Sequence, residues 1–315
     1  MSVQIEQAAE VLRSGGTVVF PTETVYGLGA HALNPTAVAR VFEIKGRPRF
    51  NPLIVHLPSL AALDELAQDI PEAARVLAAR FWPGPLTLVL PRRACVPDLV
   101  TAGLPTVAVR MPRHPIAQEL LAAAGIPVAA PSANRFTCLS PTRLEHARSQ
   151  LKDRVDFYLD GGPCEVGVES TIVGWIDGKA TLLRLGGLAI AEIENAIGPL
   201  QPIPTLSRPM APGALAKHYA PKTPLLFSKK PTVFGKNRRV ALLALQPGAE
   251  DDQAYTRVAY LSPGGDLNQA AQNLFSTLAE LEAQGLDLIV ARPMPEQGLG
   301  PAINDRLSRA GSTLS

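Results

Sequence analysis

The sequence contains little cysteine and no long apolar run. Cys95, Cys138 and Cys164 are the three cysteines among 315 residues, and no two of them are spaced as C-x-x-C. An odd number without that spacing argues against a disulfide framework and against a cysteine zinc site, so we expect a protein of the reducing cytoplasm. Glu6 and Glu10 stand where a secretory leader would be basic and then apolar. We therefore expect no membrane segment.

A large net charge and the common catalytic motifs are also lacking. The 30 lysines and arginines against 28 acidic residues leave a net charge of +2, which excludes a bulk polycation that coats nucleic acid. The chain has no G-x-x-x-x-G-K-[ST] phosphate loop, no G-x-S-x-G elbow and no H-E-x-x-H zinc motif. Its five histidines show no close metal-ligand spacing. These absences exclude the best-known nucleotide, serine-hydrolase and zinc-protease sites.

Proline, by contrast, is abundant. It accounts for 30 of the 315 residues, roughly twice the average usage of about 5%. Many prolines, such as Pro21 and Pro131, stand where an apolar run ends. Because proline fixes φ, such positions predict pre-organised loops at strand ends, where α/β sheets bind their ligands.

The remaining pattern alternates short apolar strands with amphipathic helices, which predicts a mixed α/β fold. Asn34-Pro35 is typical of a capped helix start and follows a glycine-containing loop. Periodicity is lost from Asn195 to Thr223, which we interpret as an interdomain linker, and strands alternate with helices again beyond it. The prediction is a domain at 1–205, a linker at 206–222 and a smaller Rossmann-like α/β domain at 223–315.

Three cations lie close together at the end of one predicted helix, where Lys45, Arg47 and Arg49 alternate with Gly46 and Pro48. A solvated helix end, whose cations complement the helix dipole, would need no function. In an extended loop, the spacing of two could instead point two or more cations the same way, as polyphosphate or carboxylate binding requires. Spacing alone leaves both interpretations open.

Two segments of small polar residues follow predicted strands, namely Pro21–Thr24 and the end of Val128–Asn134, where the apolar strand Val128–Ala130 runs into Pro131–Asn134. Proline, serine and asparagine are ordinary turn formers, which is the simpler interpretation. Ligands in α/β sheets gather beyond the carboxyl ends of strands, so the two loops also predict one shared site.

Single residues elsewhere differ in what they indicate. His56, in an apolar strand, is on its own more typical of a buried core histidine than of a ligand. His218-Tyr219 lies in an aperiodic segment that has no core of its own, which favours an active-site lid.

Eight motifs stand in one order along the chain, namely PTETVYGLGA (Pro21–Ala30), K-x-R (Lys45 and Arg47), NPLIVH (Asn51–His56), WPGPLT (Trp82–Thr87), VAVRMP (Val107–Pro112), APSAN (Ala130–Asn134), SPT (Ser140–Thr142) and ESTIV (Glu169–Val173). In order and spacing they resemble the YrdC-type threonylcarbamoyl-AMP synthase family. KHYAP at Lys217–Pro221 and the closing Asn304-Asp-Arg-Leu resemble its longer, two-domain branch. The resemblance implies a twisted, mixed YrdC-like sheet with flanking helices, then the Rossmann-like domain, with the linker acting as the lid.

The resemblance also implies a reaction. L-Threonine, bicarbonate and ATP would give threonylcarbamoyl-AMP and pyrophosphate, with Mg2+ held by ATP and water rather than by protein side chains. The product would serve the N6-threonylcarbamoyl modification of adenosine in tRNA, through downstream modification proteins. A contact with tRNA or other double-stranded RNA is a further implication.

Carried onto matching positions, the resemblance assigns threonine and carbamate binding to Thr24, His56, Arg110, Ala130 and Ser170. It assigns ATP binding to Arg47, Asn51, Thr106, Ser132, Asn134, Ser140, Arg184 and Tyr219. Lys45 and Arg47 are the expected catalytic pair. No protein nucleophile is expected, because displacement at phosphorus needs mainly positioning and charge stabilisation.

The sequence departs from the family at Arg135–Leu139, where a small stretch containing serine and glycine is usual, and at Leu215-Ala216 in the linker.

Two other functions fit parts of the sequence. A non-catalytic module could bind double-stranded RNA through the cations at 45–49. A related enzyme could form a carbamoyl adenylate on a different acceptor.

Overall fold

The computed structural model describes residues 2–202, 219–228, 238–248 and 255–313. Of the predicted lid, only Tyr219–Lys222 fall within these ranges, so 206–218 lie outside the described structure. Within the described ranges the fold is mixed α/β with one large and one smaller sheet, as predicted.

Among the described residues, nine strands form the first sheet, namely β1 (Val18–Phe20), β2 (Gly27–His31), β3 (Ile54–His56), β4 (Leu86–Pro91), β5 (Thr106–Arg110), β6 (Val128–Ala129), β7 (Phe157–Tyr158), β8 (Thr171–Ile176) and β9 (Lys179–Arg184). They lie in the order β7-β1-β2-β6-β3-β5-β4-β8-β9, with parallel and antiparallel neighbours. The helices of this part are α1 (Val3–Arg13), α2 (Pro35–Lys45), α3 (Leu63–Leu66), α4 (Glu72–Phe81), α5 (Asp98–Thr101), α6 (Pro115–Ala124), α7 (Leu144–Leu151) and α8 (Ile190–Ile197), with 3-10 turns at Leu60–Ala62 and Lys152–Arg154.

Helix α2 begins and ends where its sequence predicts. The Asn34 side chain accepts hydrogen bonds from the backbone N–H groups of Thr36 (3.0 Å) and Ala37 (3.2 Å), with Pro35 in the first turn. At the other end Gly46 adopts φ +63°, a conformation that glycine enters at little cost. The helix therefore delivers the chain at Lys45 to the edge of the site described below.

The glycine-containing loop predicted after Phe20 is wrong in part, because Gly27–His31 form strand β2 between β1 and β6. A Cβ atom on Gly29 would lie 2.8 Å from side-chain atoms of both Phe20 and Val128. Only glycine leaves room for these neighbours. Since the strand is mostly buried, it also lacks the alternation of polar and apolar residues that reveals half-exposed strands.

The second sheet contains five strands from the described residues, namely β10 (Leu225–Phe227), β11 (Val240–Ala244), β12 (Arg257–Tyr260), β13 (Leu288–Ala291) and β14 (Ser312–Thr313). They lie in the order β12-β11-β13-β10-β14, and every pair is parallel. Helices α9 (Leu267–Glu282) and α10 (Gly300–Ala310) belong to this part. The all-parallel sheet confirms the Rossmann-like prediction, although the short strands β10 and β14 were not predicted.

One buried hydrophobic cluster joins the two parts. Val25 and Val168 of the first part belong to the same cluster as Phe275 of α9. Gly167 adopts φ +77°, and a Cβ atom there would lie 2.4 Å from the carbonyl oxygen of Ala271. The backbone of α9 therefore approaches the first part directly.

Helix α8, which the sequence pattern did not reveal, packs on α4 of the first part. Gln201 continues that attachment, because its backbone exchanges hydrogen bonds of 2.9 Å with Ala180 and Leu182. The predicted boundary at residue 205 lies beyond these contacts, among residues outside the described ranges, and stays a prediction. No helix in the described ranges has the length and apolar character needed to cross a membrane.

Candidate active site

A pocket opens where strands of the first sheet end. His56, Arg110 and Arg184 are the last residues of β3, β5 and β9. The pocket is lined by Thr22, Thr24, Val25, Gly27, Arg47, Ile54, His56, Arg110, Ala130, Pro131, Ser132, Glu169, Ser170, Arg184 and Tyr219. Polar side chains from separate loops and strands thus converge on one space.

The two polar loops predicted to share a site do meet. The backbone N–H of Leu28 donates to the carbonyl oxygen of Pro131, and that of Ala133 donates to the carbonyl oxygen of Tyr26, both at 2.8 Å. Gly27 and Ser132 also form a β-bridge. These bonds between backbones hold the loops side by side at the pocket wall.

Arg110 is fixed on three sides. Its Nη1 donates to Thr24 Oγ1 (2.9 Å), its Nε donates to the carbonyl oxygen of Gly84 (3.1 Å), and its Nη2 lies 2.7 Å from Glu23 Oε1. Arg110 and Glu23 are both almost fully buried. A guanidinium held in this way is pre-organised for a carboxylate or carbamate entering the pocket.

The cations Lys45, Arg47 and Arg49 do not share one direction. Lys45 is buried, and its Nζ donates to the carbonyl oxygens of Ser132 and Asn134, both at 2.5 Å. Arg47 lines the pocket, and Arg49 is exposed. The spacing therefore brings one of the three cations to the pocket, while a second braces the loop opposite.

Arg47 is held by backbone carbonyls rather than by a carboxylate. Its Nε donates to Asn51 (3.2 Å) and its Nη2 to Pro52 (2.8 Å). Burial, reinforced by the neighbouring Arg184, lowers the pKa of Arg47 to about 9. A bound anion would offset this desolvation, so the pocket favours an anionic ligand at Arg47.

Arg184 is anchored to Ser170. Its Nη2 donates to the carbonyl oxygen (2.8 Å) and to Oγ (3.0 Å) of Ser170, and its Nε donates to the same carbonyl at 3.1 Å. The Ser170 hydroxyl lies 2.7 Å from Thr87 Oγ1. Burial lowers the pKa of Arg184 as well. Cationic and hydroxyl groups therefore form one rigid wall.

His56 is a neutral wall residue. It is 3% exposed, and its ring meets that of Phe20 edge-on with centroids 6.0 Å apart. Burial, with a smaller effect from the Arg110 cation, lowers the pKa of His56 to about 3. The imidazole is therefore uncharged at pH 7 and belongs both to the core and to the pocket lining.

Sequence reasoning assigned no role to Glu169 or Arg306. Glu169 lines the pocket, and its Oε2 accepts a hydrogen bond of 2.8 Å from Arg306 Nε of helix α10. Burial alone would raise the pKa of Glu169, but the Arg306 and Arg184 guanidinium groups lower it below its ordinary value. Glu169 begins the ESTIV motif, and Arg306 lies in the closing Asn304-Asp-Arg-Leu motif. Their places in these motifs are the signal that could have identified them.

All five residues assigned to threonine and carbamate line the pocket, as do four of those assigned to ATP, namely Arg47, Ser132, Arg184 and Tyr219. Lys45 and Ser140 instead line a neighbouring cleft of about 830 Å³ between the two parts. Ser140 Oγ donates to Glu169 Oε1 at 2.5 Å, so the pocket and the cleft adjoin.

Asn51, Thr106 and Asn134 are not among the lining residues of either space. Asn51 is fully buried, and its side-chain amide forms no hydrogen bond within the described residues. Asn134 Nδ2 donates to the carbonyl oxygens of Arg135 (2.8 Å) and Cys138 (2.9 Å), which shapes the loop after Ser132.

Thr106 lies away from its predicted place. It begins β5, four residues before Arg110, and at about 3.3 Å per residue this puts its Cα roughly 13 Å from that of Arg110. The structure does not bring Thr106 to the pocket.

Metal-binding groups are sparse in this region. No cluster of three or more histidine, cysteine, aspartate or glutamate side chains that could hold a metal ion occurs in the described ranges. The two carboxylates nearest the pocket, Glu23 and Glu169, are each paired with an arginine.

The fold and the pocket define a class: a mixed α/β protein whose strand-end loops present buried guanidinium and hydroxyl groups to an anionic ligand. A family model for the Sua5, YciO and YrdC proteins, described as telomere recombination, matches residues 10–186. A second model, described as the C-terminal domain of threonylcarbamoyl-AMP synthase, matches residues 188–312. The chain belongs to this Sua5–YciO–YrdC family and carries the C-terminal domain as well.

Similar proteins extend over nearly the whole chain. The threonylcarbamoyl-AMP synthase of Pyrococcus abyssi is 42% identical over 318 residues, which cover 98% of this chain and 94% of that protein. The threonylcarbamoyl-AMP synthase of Bacillus subtilis is 42% identical over 328 residues, which cover 98% of this chain and 92% of that protein. The crystal structure of P. abyssi Sua5 complexed with L-threonine matches with a TM-score of 0.90 at 39% identity, covering 99% of this chain and 96% of that one. The resemblance predicted from the motifs is confirmed.

Proposed function

We propose that this chain is a threonylcarbamoyl-AMP synthase, a nucleotidyltransferase that uses L-threonine, bicarbonate and ATP. The observation that carries the proposal is the convergence of Arg47, Arg110 and Arg184 with loop hydroxyls in one buried pocket. Similarity over nearly the full length to proteins named for this activity supports it. The product serves N6-threonylcarbamoylation of tRNA adenosine through downstream proteins, in the cytoplasm.

Arg110 marks the threonine side of the pocket. Thr24 and Glu23 fix its guanidinium, which leaves that group oriented to receive a carboxylate or carbamate. The neutral imidazole of His56 and the small side chain of Ala130 complete this wall without adding charge. The bound L-threonine of the P. abyssi structure shows that a relative of this fold holds the amino acid.

Arg47 and Arg184 mark the triphosphate side. The threonine amine captures bicarbonate as a carbamate with loss of water, and a carbamate oxygen then attacks the α-phosphorus of ATP. The new P–O bond forms as the bond from the α-phosphorus to the bridging oxygen breaks, and pyrophosphate leaves. Such a displacement needs positioned cations and hydroxyls rather than a protein nucleophile, which matches this pocket.

Mg2+ would enter with ATP. Because Glu23 and Glu169 are both paired with arginines, neither carboxylate is free for the divalent ion, which would be held by ATP and water. When bound, the ion neutralises charge on the triphosphate. Lys45 contributes by bracing the carbonyls of Ser132 and Asn134, which keeps the loop that carries the Ser132 hydroxyl in place.

A turnover assay with all three substrates tests the proposal. We expect pyrophosphate and a labelled adenylate from ATP, Mg2+, labelled bicarbonate and threonine. Arg47→Ala and Ser132→Ala should each reduce turnover at least about tenfold, the least expected for a group that stabilises developing charge. Arg49→Ala is the matched control, because Arg49 is exposed two residues away and should leave turnover unchanged.

Other outcomes identify the alternatives. Threonine-independent ATP turnover would indicate a different acceptor. Tight, salt-sensitive RNA binding that ATP and threonine do not displace would indicate a binding module. The burial of Lys45 and Arg47 disfavours the latter, since it leaves only Arg49 of that group exposed to a duplex.

A further inference from the structure

Helix α10 of the second part places one arginine behind the wall of the pocket in the first part. Arg306 is 1% exposed, and its Nε donates to Glu169 Oε2 at 2.8 Å. The other oxygen of that carboxylate accepts the Ser140 hydroxyl at 2.5 Å. Glu169 lines the pocket beside Ser170. A side chain from the second sheet's domain therefore fixes a carboxylate in the first.

The same guanidinium faces Tyr219, which the sequence predicts to belong to a lid. Arg306 Cζ lies 5.1 Å from the centroid of the Tyr219 ring, and Tyr219 also lines the pocket. Arg306 Nη2 is buried and forms no hydrogen bond within the described part of the chain. A desolvated cation over a tyrosine ring is attracted by the negative face of the ring.

A further contact holds Arg306 in this position. Its Nη1 donates to Asp305 Oδ2 at 2.9 Å. Burial alone would lower the pKa of Arg306, but the facing Tyr219, Glu169 and Asp305 raise it. Arg306 is therefore a fixed cation with an anion on one side and an aromatic ring on the other.

We propose that Arg306 is a positioning residue through which the second domain holds both Glu169 and Tyr219 against the nucleotide pocket. It touches no substrate itself, since it is not among the lining residues. Its effect on turnover rests on the proposed function, whereas its effect on the docking of Tyr219 does not. The domain that carries α10 is thus part of the active site's construction.

Two backbone amides report this role without any turnover. The Ala220 N–H donates to the carbonyl oxygen of Thr137 at 2.8 Å and reports whether the end of the lid is docked on the first domain. The Ile289 N–H donates to the carbonyl oxygen of Pro224 at 2.9 Å and reports the second sheet. Hydrogen exchange at both amides in the full chain separates lost docking from general unfolding.

In Arg306→Ala, hydrogen exchange at the Ala220 amide should accelerate at least about tenfold, while the exchange rate at the Ile289 amide stays within about twofold of wild type. The kcat/KM for ATP should fall at least about tenfold. Arg309→Ala is the matched control, because Arg309 binds the same Asp305 and should change none of these quantities beyond about twofold. Arg306→Lys keeps the charge but loses the planar fork, so it should recover only part of the loss at Ala220.

Three results would overturn the inference. One is unchanged exchange at Ala220 in Arg306→Ala. Another is equal acceleration at Ala220 and Ile289, which would mark Arg306 as a general stabiliser of its own domain. The third is an Arg306→Lys variant indistinguishable from wild type. If the wild-type protein makes no adenylate while the variants show the expected exchange pattern, the proposed function would be contradicted. The role of Arg306 in docking Tyr219 would still stand.

Discussion

At the scale of single residues, the pocket depends on charges kept from water. Arg47, Arg110 and Arg184 are each at most 7% exposed, and backbone carbonyls and hydroxyls hold them as much as carboxylates do. Desolvation of this kind costs free energy unless an anion enters. The same cost gives the pocket a strong preference for anionic ligands.

His56 makes this cost measurable as a function of pH. The pKa of His56 is about 3 in the folded protein, against an ordinary value of 6.5. Between pH 3 and pH 6.5 the imidazole is therefore protonated in the unfolded chain and neutral in the folded one. The stability it contributes is therefore complete above pH 6.5 and is lost as the pH falls toward 3.

We expect His56→Gln to flatten the pH dependence of the free energy of unfolding between pH 6.5 and pH 4 by up to about 1.4 kcal/mol per pH unit. Urea unfolding of both proteins at several pH values measures this difference. Parallel pH profiles for wild type and variant would contradict the burial of a neutral imidazole.

Lys45 shows why side-chain direction could be predicted only in part. The spacing of Lys45, Arg47 and Arg49 left two interpretations open, a solvated helix end or a common direction for two or more cations, and the chain does not adopt a common direction. Lys45 is still the last residue of α2, and the left-handed Gly46 turns the chain before Arg47. The carbonyls that capture Lys45 come from a loop almost 90 residues away, which no local pattern reveals.

At the scale of elements, the close approach of α9 to the first part depends on Gly167. Alanine there would suffer both a positive φ of +77° and a clash with Ala271 and Gln272 at 2.4 Å. Gly178 provides the matched control, because its φ is +74° but nothing lies within 4 Å of the position of a Cβ atom.

Gly178→Ala should therefore cost only the backbone strain, about 1 kcal/mol. Gly167→Ala should lower the free energy of unfolding by at least about 1 kcal/mol more, because α9 must move away. Urea unfolding curves compare the two variants. Equal losses would mean that α9 does not pack on the loop in this way.

Whether an element could be predicted from the sequence depended on its length and on its capping and periodicity signals. Helix α2 was predicted because its sequence offers a capping side chain at its start. Strands β2 and β10 were missed, since one is rich in glycine and the other has three residues next to an aperiodic stretch. Short buried strands form because neighbours complete their hydrogen bonds, and that information is not local.

At the scale of the whole molecule, two sheets share one site. The motifs were sufficient to predict both domains, and the resemblance that they carry named nine of the fifteen residues that line the pocket. The contribution of α10 was not predictable in this way. Arg306 and Glu169 are 137 residues apart in sequence, and their pairing depends on how the domains dock.

The most direct test of this account is a structure of the full chain with ATP and L-threonine bound. We predict the threonine carboxylate on Arg110, the triphosphate between Arg47 and Arg184, and Tyr219 against the nucleotide with Arg306 behind its ring. Threonine and ATP in separate sites, or a nucleotide that avoids all three pocket arginines, would contradict the central claim that this pocket joins the two substrates.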